Sequence, residues 1–157
     1  EPRHQQRTPN TATTQASLIR NRLSTMGPEL WTLVREGGKP VATHAMCAAT
    51  VKVSPLFADF LELGVREQFR RFEKVLRPTL WDDYMDSCHQ RDPDMPTWSD
   101  STRAKLKQNV FRMLAEAGYL HDTKSMQLQR VQISPEVITY LQEQEETYVM
   151  RCLQVSQ

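Results

Sequence analysis

Four histidines, His4, His44, His89 and His121, are spread over a chain of 157 residues. None stands in an HExxH or HxxxH spacing, the arrangements that turn two imidazoles of one helix toward a single metal ion. Cys88 and His89 are adjacent, but neighbouring side chains on a helix point apart rather than at one ion. Asp82, Asp83 and Asp86 can bring two carboxylates to one helical face; a helix N-terminus, whose dipole favours acids, is the simpler account of them. With five glycines and neither a Walker A nor a GxGxxG run, the sequence offers no loop of the kind that cradles nucleotide phosphates. Cys47, Cys88 and Cys152 form no CxxC pair and read as reduced thiols serving as small hydrophobic side chains. The expectation from these residues is a protein that is not an enzyme and uses neither metal nor cofactor.

Chemistry of another kind is offered between residues 99 and 133. Ser99-Asp100-Ser101-Thr102 supplies capping side chains for a helix that runs to Ala117 and stops at Gly118, a residue suited to the position just past a helix C-terminus. At about 100° per residue, Leu106, Val110, Met113, Leu114 and Ala117 fall on one arc, and Lys105, Gln108, Asn109, Arg112 and Glu116 lie broadly opposite. Beyond the glycine, Tyr119-Leu120 and Val131-Gln132-Ile133 are expected as two short strands joined by a polar tip, Asp122-Thr123-Lys124-Ser125. Capped helix, glycine break, strand, polar tip and returning strand follow the order of a recognition helix and wing in a winged helix-turn-helix. A helix of this kind fits the major groove, and basic and amide side chains on its exposed arc can reach phosphates and base edges. The candidate DNA-binding residues are Thr102, Arg103, Lys105, Lys107, Gln108 and Arg112 on the helix, with Lys124 and Arg130 at or near the wing to grip the phosphate backbone. The same shape also serves to dock a protein, with its Lys and Arg merely solvated, and the pattern alone leaves both readings open.

These residues need a scaffold. Residues 1–10 are polar, contain two prolines and read as a flexible lead-in. From about Thr13 to Met26, the spacing of Ala16, Ile19, Leu23 and Met26 predicts an amphipathic helix. Gly27-Pro28 ends it and opens a short helix through Trp31, Leu33 and Val34, broken by Gly37-Gly38. Residues 40–53 are apolar nearly all round and rich in alanine, as in a buried, closely neighboured helix. Ser54-Pro55 starts a helix with Phe57, Phe60, Leu61, Gly64, Val65, Gln68, Phe69 and Phe72 on its apolar stripe, and Pro78 stops it. Thr79, with an acid three residues on, is expected to cap a helix to about His89, and 90–97 form a loop. Ser134-Pro135-Glu136 opens a helix through Val137, Ile138 and Leu141, and Tyr148 to Val155 is expected as a strand. The expected fold is mainly α: an N-terminal helical bundle over 1–95, and a C-terminal winged-helix-like unit with a small β hairpin over 96–157.

Composition bounds the setting. Hydrophobic residues at 39% and charged residues at 25% are ordinary for a folded globular chain. No apolar run approaches the roughly 20 residues of a membrane span, and the expectation is a cytoplasmic protein with no membrane partner. The net charge of +1 hides an alternation. Residues 1–54 and 100–134 hold an excess of basic groups, and residues 55–99 and 135–157 an excess of acidic ones. Such asymmetry can give a nearly neutral protein a positive face.

The segment from Asp100 to Leu120, DSTRAKLKQNVFRMLAEAGYL, resembles the signature of the BrxA family, small proteins encoded in bacterial BREX phage-defence loci. Phe57 to Phe69, Trp81-Asp82-Asp83-Tyr84, and the region from Arg7-Thr8 to Leu23 are similar to its preceding helices. The resemblance implies a non-enzymatic DNA-binding defence component that works beside other BREX proteins and binds duplex DNA mainly through phosphates. It brings no catalytic residues, and it matches Arg103, Lys105, Lys107 and Arg112 to a basic helix. It also implies a further helical segment before the point that matches Glu1. The first alternative is an adaptor docking another defence protein through its winged-helix surface; a second, a nuclease, would need clustered acids with a metal.

Overall fold

The computed structural model describes residues 27–157, so the flexible lead-in and the helix expected to Met26 lie outside the described residues. Helix α1, Pro28–Glu36, opens on a first-turn proline, and the Gly27 N–H before it donates to the Tyr140 hydroxyl. Helix α2, Lys39–Val53, buries His44, Ala45, Cys47, Ala48, Ala49, Thr50 and Val51. Its small side chains let other helices approach from several sides, and it meets α1 and the helices described below as α3, α5, α6 and α7.

Helix α3 begins at Pro55–Asp59, where the Ser54 hydroxyl accepts from Phe57 N–H as the cap. It passes through a π-helical stretch, Phe60–Val65, and ends with Arg66–Arg70. The stripe expected on it is buried at Phe57, Phe60, Leu61, Val65, Gln68 and Phe69. Phe72 departs from that stripe: the helix stops at Arg70, about two turns before Pro78, and Phe72 stands 79% exposed. Helix α4, Thr79–Arg91, packs Trp81 edge-on to Phe60 at 4.9 Å. Its cap position is Pro78, so Thr79 lies inside the first turn and makes no side-chain cap.

Helix α5, Asp100–Ala117, has the expected limits. Ser99 Oγ accepts from Thr102 N–H at its start, and Gly118 takes φ 101° at its end. After an irregular stretch come α6, Pro135–Glu143, and α7, Thr147–Leu153. One hydrophobic core joins residues from Leu30 to Val155. Among the described residues no single helix is long and apolar enough to cross a membrane; α2 and α3 satisfy length and composition only together, and they bend by 106° at Ser54.

The β hairpin and winged-helix-like unit are not formed. Among the described residues no strand occurs, and only isolated bridges pair Leu120 with Leu128 and Val75 with Gln127. A one-sided strand would alternate buried and exposed residues, but Tyr119 and Leu120 are both buried. The returning segment spends its backbone groups elsewhere. Val131 N–H donates to Ser156 Oγ at 2.8 Å, and its carbonyl accepts from the same hydroxyl at 3.2 Å. The strand expected over Tyr148 to Val155 is also corrected, to α7, because Val149, Cys152 and Leu153 at helical spacing carry its buried stripe.

Candidate nucleic-acid interface

The apolar arc of α5 divides as the spacing predicts. Val110, Leu114 and Ala117 are buried, Phe111 joins them, and Leu106 and Met113 are half-buried. Lys105, Gln108, Asn109, Arg112 and Glu116 are exposed, so four polar side chains at i, i+3, i+4 and i+7 from Lys105 to Arg112 form one strip along two turns. Thr102 is exposed at the start of the helix, its hydroxyl accepting from Ser99.

The other basic residues are differently placed. Lys107 Nζ lies 2.8 Å from Asp82 Oδ2, and an Arg103 guanidinium nitrogen lies 3.6 Å from Asp86 Oδ1. Both pairs join α5 to α4, so two of the acids of α4 have basic partners beside a cleft whose lining includes Trp81 and Met85. Arg112 sits 3.9 Å from Glu116, with both side chains well exposed, an ion pair of little strength in water. Arg130 donates to the Ser156 carbonyl at 2.9 Å and ties the irregular segment to the C-terminus. Lys124 is exposed in the turn after α5, where Asp122 Oδ1 accepts from the N–H groups of Lys124 and Ser125. The Ser125 N–H, then its hydroxyl, hold the Asp122 carboxyl below its usual range. Of the eight candidates, Lys105, Gln108 and Arg112 share one exposed strip, while Arg103, Lys107 and Arg130 each have a structural partner.

The strip is held by a buried histidine. His44 on α2 accepts the Ser134 N–H at Nδ1, 3.1 Å away, with the Ser134 hydroxyl at 2.9 Å. Its Nε2 therefore donates to the Ala117 carbonyl at 3.2 Å. One imidazole thus links the last turn of α5, the start of α6 and the central helix. Burial lowers its pKa, against the opposing influence of the Ala117 carbonyl. Sequence spacing could not find this role, because its partners lie 73 and 90 residues away. A second basic surface that sequence reasoning passed over is the turn after α3, where Arg70, Arg71, Lys74 and Arg77 are exposed around Phe72. Among the described residues no three His, Cys, Asp or Glu side chains gather as a metal site would require.

A family model described as BrxA matches residues 4–145. The chain is 53% identical over 152 residues to a BREX protein BrxA of Paramagnetospirillum magneticum (strain ATCC 700264 / AMB-1), covering 97% of this chain and 76% of that one. It is 35% identical over 134 residues to a BREX protein BrxA of Escherichia coli O9:H4 (strain HS), covering 85% of this chain and 63% of that one. It thus spans about three-quarters of the first relative and less than two-thirds of the second. A crystal structure described as an uncharacterized protein from Magnetospirillum magneticum is similar with a TM-score of 0.86 and 54% identity, over 90% of this chain and 75% of that one. The family match and the identity over nearly the whole chain together establish that this chain belongs to the BrxA family, whose members are BREX proteins.

Proposed function

We propose that the protein is a non-enzymatic component of a BREX anti-phage defence system that binds duplex DNA in the cytoplasm, mainly through phosphates. The observation that carries the reading is the Lys105–Gln108–Asn109–Arg112 strip: cationic and amide side chains exposed on one face of a capped helix of 18 residues. Cations of this kind neutralise phosphates and release condensed counterions, and amides reach base edges. The absence of a catalytic constellation in the sequence supports a role in binding rather than chemistry. The test is binding to random-sequence duplex across a salt series. The expected result is an affinity that falls steeply and log-linearly with salt and varies little with sequence. Incubation of the same preparation with plasmid, Mg²⁺, ATP and S-adenosylmethionine is expected to leave the DNA uncut and unmethylated; cleavage or methylation that persists through purification overturns the non-enzymatic part.

A second reading, an adaptor for another BREX protein, draws support from the ion pairs of Arg103 and Lys107. They remove two cations from the set available to phosphate. Salt-insensitive or absent duplex binding, with retention of a BREX partner on the same helix, would favour it.

A further inference from the structure

The turn between α3 and α4 carries a side chain that the fold does not need. Helix α3 closes with the Glu73 N–H donating to the Gln68 carbonyl at 3.0 Å and the Phe72 N–H to the Phe69 carbonyl at 3.1 Å. This Schellman closure sets Phe72 at φ 57°, a left-handed conformation that penalises every residue with a Cβ and is usually given to glycine. Helix α5 closes with the same pair of bonds, from Tyr119 N–H to the Leu114 carbonyl and from Gly118 N–H to the Ala115 carbonyl, and there the residue is glycine. Phe72 bears the backbone penalty and recovers nothing by burial, since 79% of it faces solvent.

Its surroundings are cationic. Within residues 70–77, Arg70, Arg71, Lys74 and Arg77 are exposed, and Glu73 is the single acid; Arg71 also pairs with Glu67 at 3.1 Å. Val75, 47% exposed, adds a second apolar side chain. The turn is fixed in place: Leu128 N–H donates to the Lys74 carbonyl at 2.8 Å, and Leu76 N–H to the Met126 carbonyl at 2.9 Å. These bonds bring the segment that follows Lys124 alongside it.

We infer that Phe72 is a wedge for duplex DNA, its ring entering a base step while Arg70, Lys74 and Arg77 hold the flanking phosphates. The inference rests on the DNA-binding reading but uses a different surface from the α5 strip. Charge complementarity selects the occupant. An aromatic tip surrounded by cations on a rigid turn matches a polyanion with a stacked interior, and apolar wedges of this type partly unstack the steps they enter. Every base step offers a stacking face, so such a wedge suits binding with little sequence preference.

The test uses Phe72→Gly and Phe72→Trp in the full chain, with random-sequence duplex as the probe. Phe72→Gly removes the ring and relieves the left-handed strain, so its Tm should be no lower than the parent's. Its affinity should fall about ten-fold, the scale of one lost base–aromatic contact, with an unchanged salt slope because no charge is lost. On saturation with DNA the new indole of Phe72→Trp should be strongly quenched relative to the parent, and a duplex carrying 2-aminopurine should brighten with the parent but not with Phe72→Gly. If the parent binds duplex while Phe72→Gly binds equally well, the wedge is overturned and the DNA reading stands. The wedge also falls if Phe72→Gly weakens binding but the indole emission is unchanged, or if it abolishes capture of another BREX protein and leaves DNA affinity intact. If the parent does not bind duplex even at low salt, the DNA reading and the wedge fall together.

Discussion

His44 shows how much a single side chain can hold in this fold. Its neutral imidazole accepts from Ser134 and donates to Ala117, joining three helices through two ring nitrogens. Protonation removes the acceptor, and burial holds the folded-state pKa below the ordinary value of 6.5. In the window between those two values the unfolded chain binds more protons than the folded one, so stability rises with pH there. The contribution is intact above about 6.5 and declines as pH falls toward the folded value. Urea midpoints measured from pH 7.5 down to pH 5 should therefore drop, and His44→Ala should flatten that drop while lowering stability at pH 7.5 by about 2–4 kcal/mol, since it opens a cavity and strands the Ala117 carbonyl and Ser134 N–H. An unchanged pH profile in the variant would remove His44 from this role. Leu114, fully buried on the inner arc of α5, tests the phase of that helix more simply. Leu114→Ala should cost about 2–5 kcal/mol, and a Tm within a degree or two of the parent's would reverse the assignment of every exposed residue on α5.

At the scale of the element, the helix ends govern the fold as much as the apolar stripes do. Gly118, Phe72 and Glu145 all take positive φ just past a helix, at 101°, 57° and 55°. Glu145 closes α6 with the same bonds, Glu146 N–H to the Leu141 carbonyl and Glu145 N–H to the Gln142 carbonyl. Glu145→Gly should therefore stabilise by up to about 1 kcal/mol, whereas Gly118→Ala should destabilise by about 1–2 kcal/mol; the two shifts, read from chemical denaturation, should have opposite signs. These ends also explain which parts of the molecule were legible in the sequence. Helix α5 could be read nearly to the residue because Ser99 and Gly118 announce its limits in residue type and its arc repeats at 3.6. Helix α3 was read too long because its C-terminus falls at a phenylalanine, which carries no signal for left-handed backbone. The hairpin was misread for a related reason. Tyr119-Leu120 and Val131 to Ile133 have the composition of strands, but the Tyr119 carbonyl accepts from the Gln129 N–H, Val131 bonds to Ser156, and Met126 and Leu128 between them pair with the Lys74 to Leu76 turn. No local pattern reports that turn or Ser156 as a partner so distant in sequence. The candidate interface was legible in outline, as a basic helix; which cations are taken up by Asp82 and Asp86 depended on how α4 packs beside α5.

At the scale of the whole molecule, the question is whether a nearly neutral protein can present enough positive surface to hold DNA. The net charge of +1 is small, but a polyanion responds to the local face rather than the total. Two faces carry that local charge, the α5 strip and the turn around Phe72, and they are separable by mutation. Lys105 and Arg112 are two helical turns apart, exposed, and remote from the buried arc. Lys105 has no ion-pair partner among the described residues, and Arg112 has only the long, solvated contact with Glu116. Changing both to alanine should leave unfolding within about 0.5 kcal/mol of the parent, as for other surface substitutions. If each cation contacts one phosphate, the slope of log affinity against log salt should lose about 0.9 per contact, or about 1.8 for the pair. Binding to all duplex sequences should weaken alike, because phosphates carry no sequence information. Phe72→Gly should instead weaken binding at an unchanged slope, so the two surfaces leave different signatures in the same titration. If the double variant keeps both the affinity and the slope of the parent, the α5 strip is not a DNA surface. The cations around Phe72, with Arg20 and Arg22 beyond the described residues, would then have to carry the binding, and the adaptor role of α5 would gain the support that the strip had lost.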